Sequence, residues 1–162
     1  MPISDNALQM EKNRFLAVKG EATVGQACAA LKAVGGQPWW HLVVQMDDGS
    51  WTVARFSELP GAAVTTSRAG ETQLSTLDQL RIAPAVERDS VETKTAQTLA
   101  RKSPAQTLVV TASGLPVGIL CEGIRRGAAP GGGLTSANLD QLGRKYVKLK
   151  DYGSILLGSS KK

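Results

Sequence analysis

Histidine is almost missing from this chain: His41 is the only one in 162 residues. There are two cysteines, Cys28 and Cys121, and neither sits in a Cys-x-x-Cys motif or beside a second metal ligand. Together these scarcities argue against a zinc site of Cys and His ligands. Both cysteines lie in apolar segments, where a buried thiol is the ordinary reading. No apolar run approaches the ~20 residues that a membrane-crossing helix needs. The opening residues Met1-Pro2-Ile3-Ser4-Asp5 have no basic stretch leading into an apolar one, so the expected location is the cytoplasm, with no membrane partner. Catalytic signatures are also missing. There is no Gly-x-Ser-x-Gly, and Gly131-Gly132-Gly133 is not followed by the Gly-Lys-Ser/Thr of a P-loop. Asp47 and Asp48 are adjacent carboxylates, but they lie in a turn signal, where Asp serves the backbone. No enzyme is expected.

What is present is the composition of a globular protein, with 42% hydrophobic and 20% charged residues. The length suits one compact domain or two small repeats sharing a core. The formal charge of +5 belongs to one end: from Arg125 onward the balance is +6, and the remainder carries −1. A basic tail can attract an acidic partner or nucleic acid, although a solvated surface explains it as well.

Along the chain, Met1 to about Arg14 is polar and expected to be loosely held. Phe15-Leu16-Ala17-Val18 reads as a strand. Thr23 with Gln26 three residues later forms a capping-box pattern. Val24, Ala27, Cys28, Leu31 and Val34 then recur at helical spacing until Gly35-Gly36. A β-rich run from Trp39 to Met46, the turn signal Asp47-Asp48-Gly49-Ser50 and the run Trp51 to Phe56 predict a hairpin. In such a strand Trp39 and Trp40 would point to opposite faces, and Trp51 could pack against one of them across the turn. Ser57 to Gly61 predicts a short helix or turn, and Leu74, Leu77 and Leu80 suggest another short helix ending before Pro84.

The pattern then returns. Asp89 to Arg101 reads as a capped helix with Val91, Thr95, Thr98 and Leu99 as its apolar positions. Thr107–Thr111, the turn Ala112-Ser113-Gly114 and Leu115–Cys121 form a second hairpin. Val24 matches Val91, Leu42-Val43-Val44 matches Leu108-Val109-Val110, Gly49 matches Gly114, and Leu59 matches Ile124, at offsets of 67, 66, 65 and 65. This is an internal repeat of a unit too small to bury a core alone. Beyond the glycine-rich linker 127–133, Val147-Lys148-Leu149-Lys150 and Ile155-Leu156-Leu157 suggest an edge hairpin, with Gly158 to Lys162 frayed.

The order of elements resembles a tandem CBS-domain pair. Thr23-Val24-Gly25-Gln26-Ala27 is similar to the family's helix start, and His41-Leu42-Val43-Val44 with Asp48-Gly49 is similar to its strand and turn. Ser90 to Ile124 looks like a second copy. The resemblance implies an α/β (α+β) fold of two β-α-β-β-α repeats, packed with pseudo-twofold symmetry, plus a small C-terminal extension. Segments follow as 1–14, a first repeat 15–61, a linker with a short helix 62–84, a second repeat 85–126 and a basic extension 127–162.

It also implies a non-catalytic regulatory module, a homodimer, an unknown regulated partner, and a cleft between repeats for AMP, ADP, ATP or S-adenosylmethionine. The family's Ser/Thr-x-x-Asp motif falls on Arg55 and Glu58. A Glu58 carboxylate can accept from ribose hydroxyls and an Arg55 guanidinium can hold phosphate. His41, Thr23, Val18 and Lys19 complete the ligand set that the resemblance suggests. In the second repeat the motif positions are Cys121 and Ile124, and Ile124 cannot bind a ribose diol. The plain alternative for Arg55 and Glu58 is a solvated strand-end pair, and for His41 a structural residue. A ligand-free dimerisation or interaction scaffold is the competing reading. Behind both stands nucleic-acid binding through Arg144, Lys145, Lys148, Lys150, Lys161 and Lys162, with Tyr146 and Tyr152 interleaved.

Overall fold

The computed structural model describes residues 2–59, 72–123 and 155–160. The first repeat begins with β1 (Phe15–Lys19), crosses over through α2 (Val24–Ala33) and returns as β2 (His41–Gln45), which pairs parallel to β1. The crossover is set locally. Thr23 accepts from the Gln26 backbone N–H while Gln26 accepts from the Thr23 N–H, closing the predicted capping box. Gly35 stops the helix in the left-handed region at φ 74°. β3 (Trp51–Arg55) pairs antiparallel to β2 around Gly49, at φ 86°.

The second repeat has the same connectivity. β5 (Ala85–Glu87), α3 (Thr93–Lys102), β6 (Thr107–Ala112) and β7 (Leu115–Cys121) form a three-stranded sheet in the order β5-β6-β7, with β5 parallel to β6 and β7 antiparallel. The hairpins correspond pair for pair at a shift of 66 residues, with His41–Arg55 becoming Thr107–Cys121 and Val43–Val53 becoming Val109–Ile119. The correspondence breaks at a register shift between Val110 and Thr111. Beyond it, the second hairpin closes through Ser113 and Gly114, both at positive φ, the two-residue turn whose twist suits a hairpin.

The first sheet is wider. β4 (Arg81–Ala83) adds to β3, and β8 (Leu156–Ser159) adds antiparallel to β1, giving β4-β3-β2-β1-β8. Only Pro84 separates β4 from β5, so one extended segment leaves the first sheet and enters the second. Strand alternation divides the core into three. Leu16, Val18, Leu42 and Val44 pack with α2; Phe15, Ala17, Val43, Trp51 and Val53 meet Val109 and Ile119 of the other sheet; Leu108, Val110 and Leu120 pack with Ala96 and Ala100 of α3. The mixed architecture is α+β: two sheets face to face with α2 and α3 on their outer faces. No described helix is long and apolar enough to cross a membrane.

Several sequence expectations change. The N-terminal segment is docked, not loose. Ile3 is fully buried with the α3-side core, α1 (Asp5–Leu8) follows, and buried Asn13 donates to the Ala7 carbonyl at 2.7 Å and accepts from the Cys121 N–H at 2.8 Å. Lys12 pairs with Glu122 at 2.9 Å. On α3 the buried residues are Ala96 and Ala100, not Thr95, Thr98 and Leu99. Leu99 is exposed because the smaller alanines allow close approach to the sheet. No side chain caps that helix at Glu92.

β2 starts at His41, so Trp39 and Trp40 precede the strand and meet edge to face, centroids 6.3 Å apart, both against the α2-side core. Trp51 lies in the inter-sheet core on the opposite face of the sheet. The leucines after Gln73 give a single 3-10 turn, Leu74–Thr76, and the strands β4 and β5 follow it. Gly158 and Ser159 belong to β8 and are not frayed. The expected strand Val147–Lys150, the basic tail residues 144–150 and Ile124 lie outside the described residues.

Candidate functional site

Three of the six residues singled out in the sequence come together. His41 and Arg55 are direct cross-strand partners at one end of the first sheet. Both share the alternation parity of Val43 and Val53, so both project from the face that meets the second repeat. Glu58 follows in the 3-10 turn Phe56–Glu58, where its Oε1 accepts from the Arg55 backbone N–H at 3.0 Å. That bond turns the chain back at the end of β3 and fixes the carboxylate beside the base of the guanidinium side chain. His41 is buried, and Arg55 is half-buried. The Arg55 Nε is inaccessible to solvent and has no hydrogen-bond partner among the described residues, a state that buried donors seldom keep.

The other three lie elsewhere. Val18 is fully buried in the α2-side core and presents nothing to a ligand. Lys19 is exposed at the end of β1, four residues along from Phe15, the partner of His41. At the rise of a strand, Lys19 is therefore about 13 Å from that end. Thr23 stands at the same far end, with its hydroxyl engaged at the helix N-terminus. The structure thus splits the expected ligand set into a cluster of His41, Arg55 and Glu58 at one end of the sheet and Lys19 and Thr23 at the other.

The second repeat is not equivalent. Thr107 and Cys121 occupy the places of His41 and Arg55. The Cys121 N–H is taken by Asn13, and the next carboxylate, Glu122, is drawn to Lys12 and to Arg101 at 3.9 Å. The N-terminal segment therefore covers this end of the second repeat. Neither thiol forms a disulfide. Cys28, on the buried face of α2, has its pKa pushed up to about 12 by burial, which makes it inert as a nucleophile.

Sequence reasoning missed two arginines, Arg14 and Arg88. The Arg14 carbonyl accepts from the His41 N–H, which places Arg14 next to the cluster along the same sheet end. Arg88 closes β5 and tethers the N-terminal segment: its Nε donates to the Ile3 carbonyl and its guanidinium pairs with Asp5. Nothing in the local sequence marks either one, because both depend on where residues 3–14 dock. Among the described residues no three His, Cys, Asp or Glu side chains group as metal ligands would.

No protein-family model and no curated protein matches the sequence. Among solved structures, the chain is similar to the crystal structure of a CBS-pair protein, CBSX2, from Arabidopsis thaliana, at 20% sequence identity and a TM-score of 0.42, over 83% of this chain and 89% of that one.

Proposed function

We propose that this chain is a non-catalytic regulatory module that takes one adenosine-containing ligand, AMP, ADP, ATP or S-adenosylmethionine, at the inter-repeat end of its first sheet. The supporting observation is the pairing of His41 with Arg55 on the face between the two repeats, with Glu58 bonded to the Arg55 backbone; in the sequence the matching residues of the second repeat are Thr107, Cys121 and Ile124. A carboxylate and a guanidinium at one strand end suit a nucleotide. The first accepts from the ribose diol, and the second donates to phosphate in a fork. The buried Arg55 Nε gains a partner when an anion arrives, which favours binding over leaving the donor unmet. The asymmetry sets the stoichiometry at one ligand per chain, since Ile124 offers no polar atom and the Cys121 N–H is already used. In this reading the chain works as a homodimer that passes occupancy of the cleft to a regulated partner.

The test is a thermal-shift screen against AMP, ADP, ATP and S-adenosylmethionine, run on the native protein and on Glu58→Ala. A ligand that binds only the folded state raises Tm with its concentration. The expected result is a rise with one adenosine ligand that Glu58→Ala abolishes. No rise with any of them at millimolar concentration removes the sensor reading and leaves a ligand-free interaction scaffold.

A further inference from the structure

A groove of about 690 Å³ opens on the other side of Arg14, between α1, β8 and the first residues of β7. Its size falls in the range of small-molecule sites. Its walls come from the extensions of the fold, not from the repeats alone: Asp5, Gln9 and Arg14 from the N-terminal segment, Ser159 and Ser160 from the C-terminal strand, and Arg88 after β5. We infer that this groove binds a small molecule through a phosphate or carboxylate group, at a site separate from the Arg55–Glu58 cleft.

The argument begins with Arg88. Its guanidinium is held from two directions, by the Ile3 carbonyl and by the Asp5 carboxylate. Its Nη1 has no hydrogen-bond partner among the described residues. An arginine fixed in this way has already given up its rotamer freedom, so less entropy is lost when an anion binds to the remaining nitrogen.

The Ser160 hydroxyl accepts from the Phe15 N–H at 3.0 Å, which leaves its own proton to donate elsewhere. The Ser159 hydroxyl and the Gln9 amide have no side-chain hydrogen-bond partner among the described residues and add donors on the same walls. Two arginines against the one carboxylate of Asp5 leave the groove with a formal charge of +1, which favours an anion over a cation. Asp5 does not cancel this preference, because it is already paired with Arg88 and more than half of its side chain faces solvent.

Phosphate and carboxylate share this chemistry, and titration separates them. Amide NMR spectra of the isotope-labelled full chain are followed with inorganic phosphate, with succinate, and with sodium chloride at matched ionic strength. The expected result is a saturable shift of the Ser159 and Ser160 amides with phosphate or with succinate, and none with chloride. The anion that saturates identifies the source.

Arg88→Gln is expected to weaken the binding by about tenfold or more, as loss of a charge-assisted donor does. Because Arg88 also tethers Ile3, Arg14→Gln provides a second variant, and a similar weakening is expected from it. No saturation with either anion, shifts reproduced by chloride, or affinity unchanged in both variants overturns the inference. Glu58→Ala is expected to leave the affinity intact. If it abolishes binding, the anion sits in the cleft and the separate groove site is wrong, whatever the adenosine screen shows.

Discussion

Removing the Asn13 side chain should unfasten the N-terminal segment from the second repeat. Asn13 is almost fully buried and bridges two backbone groups, donating to Ala7 and accepting from Cys121. Asn13→Ala leaves the buried Cys121 N–H without a partner, at about 1–3 kcal/mol, and takes from the Ala7 carbonyl its short bond, worth about 0.5–1.5 kcal/mol, leaving it the long 3.4 Å bond from the Met10 N–H. Partial entry of water offsets some of that, so the expected loss is about 2–4 kcal/mol. For a chain of this size that corresponds to a fall in Tm of roughly 5–15 °C.

Thermal and urea melts followed by circular dichroism measure the loss, and hydrogen exchange at the Cys121 amide reports it locally. Gly118→Ala tests the same docking without touching the bridge. A Cβ there would lie 2.7 Å from Leu8 Cδ2, so the Leu8 side chain must move from its seat between α1 and β7, at a cost of about 1 kcal/mol. If Asn13→Ala melts within about 1 °C of the native protein and Cys121 stays equally protected, the segment is not held by this bridge and the reasoning fails.

Two further outcomes follow from titratable groups. Cys28 keeps its proton in the fold up to about pH 12, whereas an ordinary thiol loses it near 9.0. The folded state therefore binds the extra proton between those values, and stability should fall as pH rises through that window. Comparing alkaline melts of the native chain and Cys28→Ala isolates this component, and identical slopes would refute it. Glu87 is held below its usual 4.5 by the Gly114 N–H first, then by the Thr111 hydroxyl and the Ser113 N–H. A depressed carboxylate stabilises above its unfolded pKa, and that contribution is lost as pH falls through its folded one. The acid limb of the Tm-against-pH curve should be flatter in Glu87→Gln, and an unchanged limb would show that the hairpin turn does not depend on this carboxylate.

The parts of the fold that could be read from the sequence are those fixed by neighbours in the chain. Thr23 and Gln26 announced a helix start, Gly49 and Gly114 announced hairpins, and matched apolar runs announced a repeat that the strand pairing reproduces through four successive residue pairs. What could not be read depends on distant partners. Ile82 is exposed on β4, and nothing about Arg81-Ile82-Ala83 says strand until Trp51 and Thr52 offer an edge to pair with. On α3 the larger Leu99 suggests the buried face, whereas close packing on the sheet selects the small side chains Ala96 and Ala100. At the site, Arg55 and Glu58 fall on the motif positions that the resemblance implies, and one hydrogen bond joins them over that short spacing. Val18, which the resemblance assigns to the ligand, lies on the face that its strand buries under α2.

The pairing of β8 with β1 has a consequence for how the protein is made. Leu16 pairs with Ser159, so the first sheet is begun early in synthesis and receives β8 only after both repeats have left the ribosome. Until then β1 presents a bare row of amide and carbonyl groups beside an apolar core, the kind of surface that recruits other chains. A closure spanning so much sequence is also slow on topological grounds. Nascent chains stalled before Leu156 should therefore be the form of this protein most prone to aggregate, although both hairpins and both crossover helices are already in place.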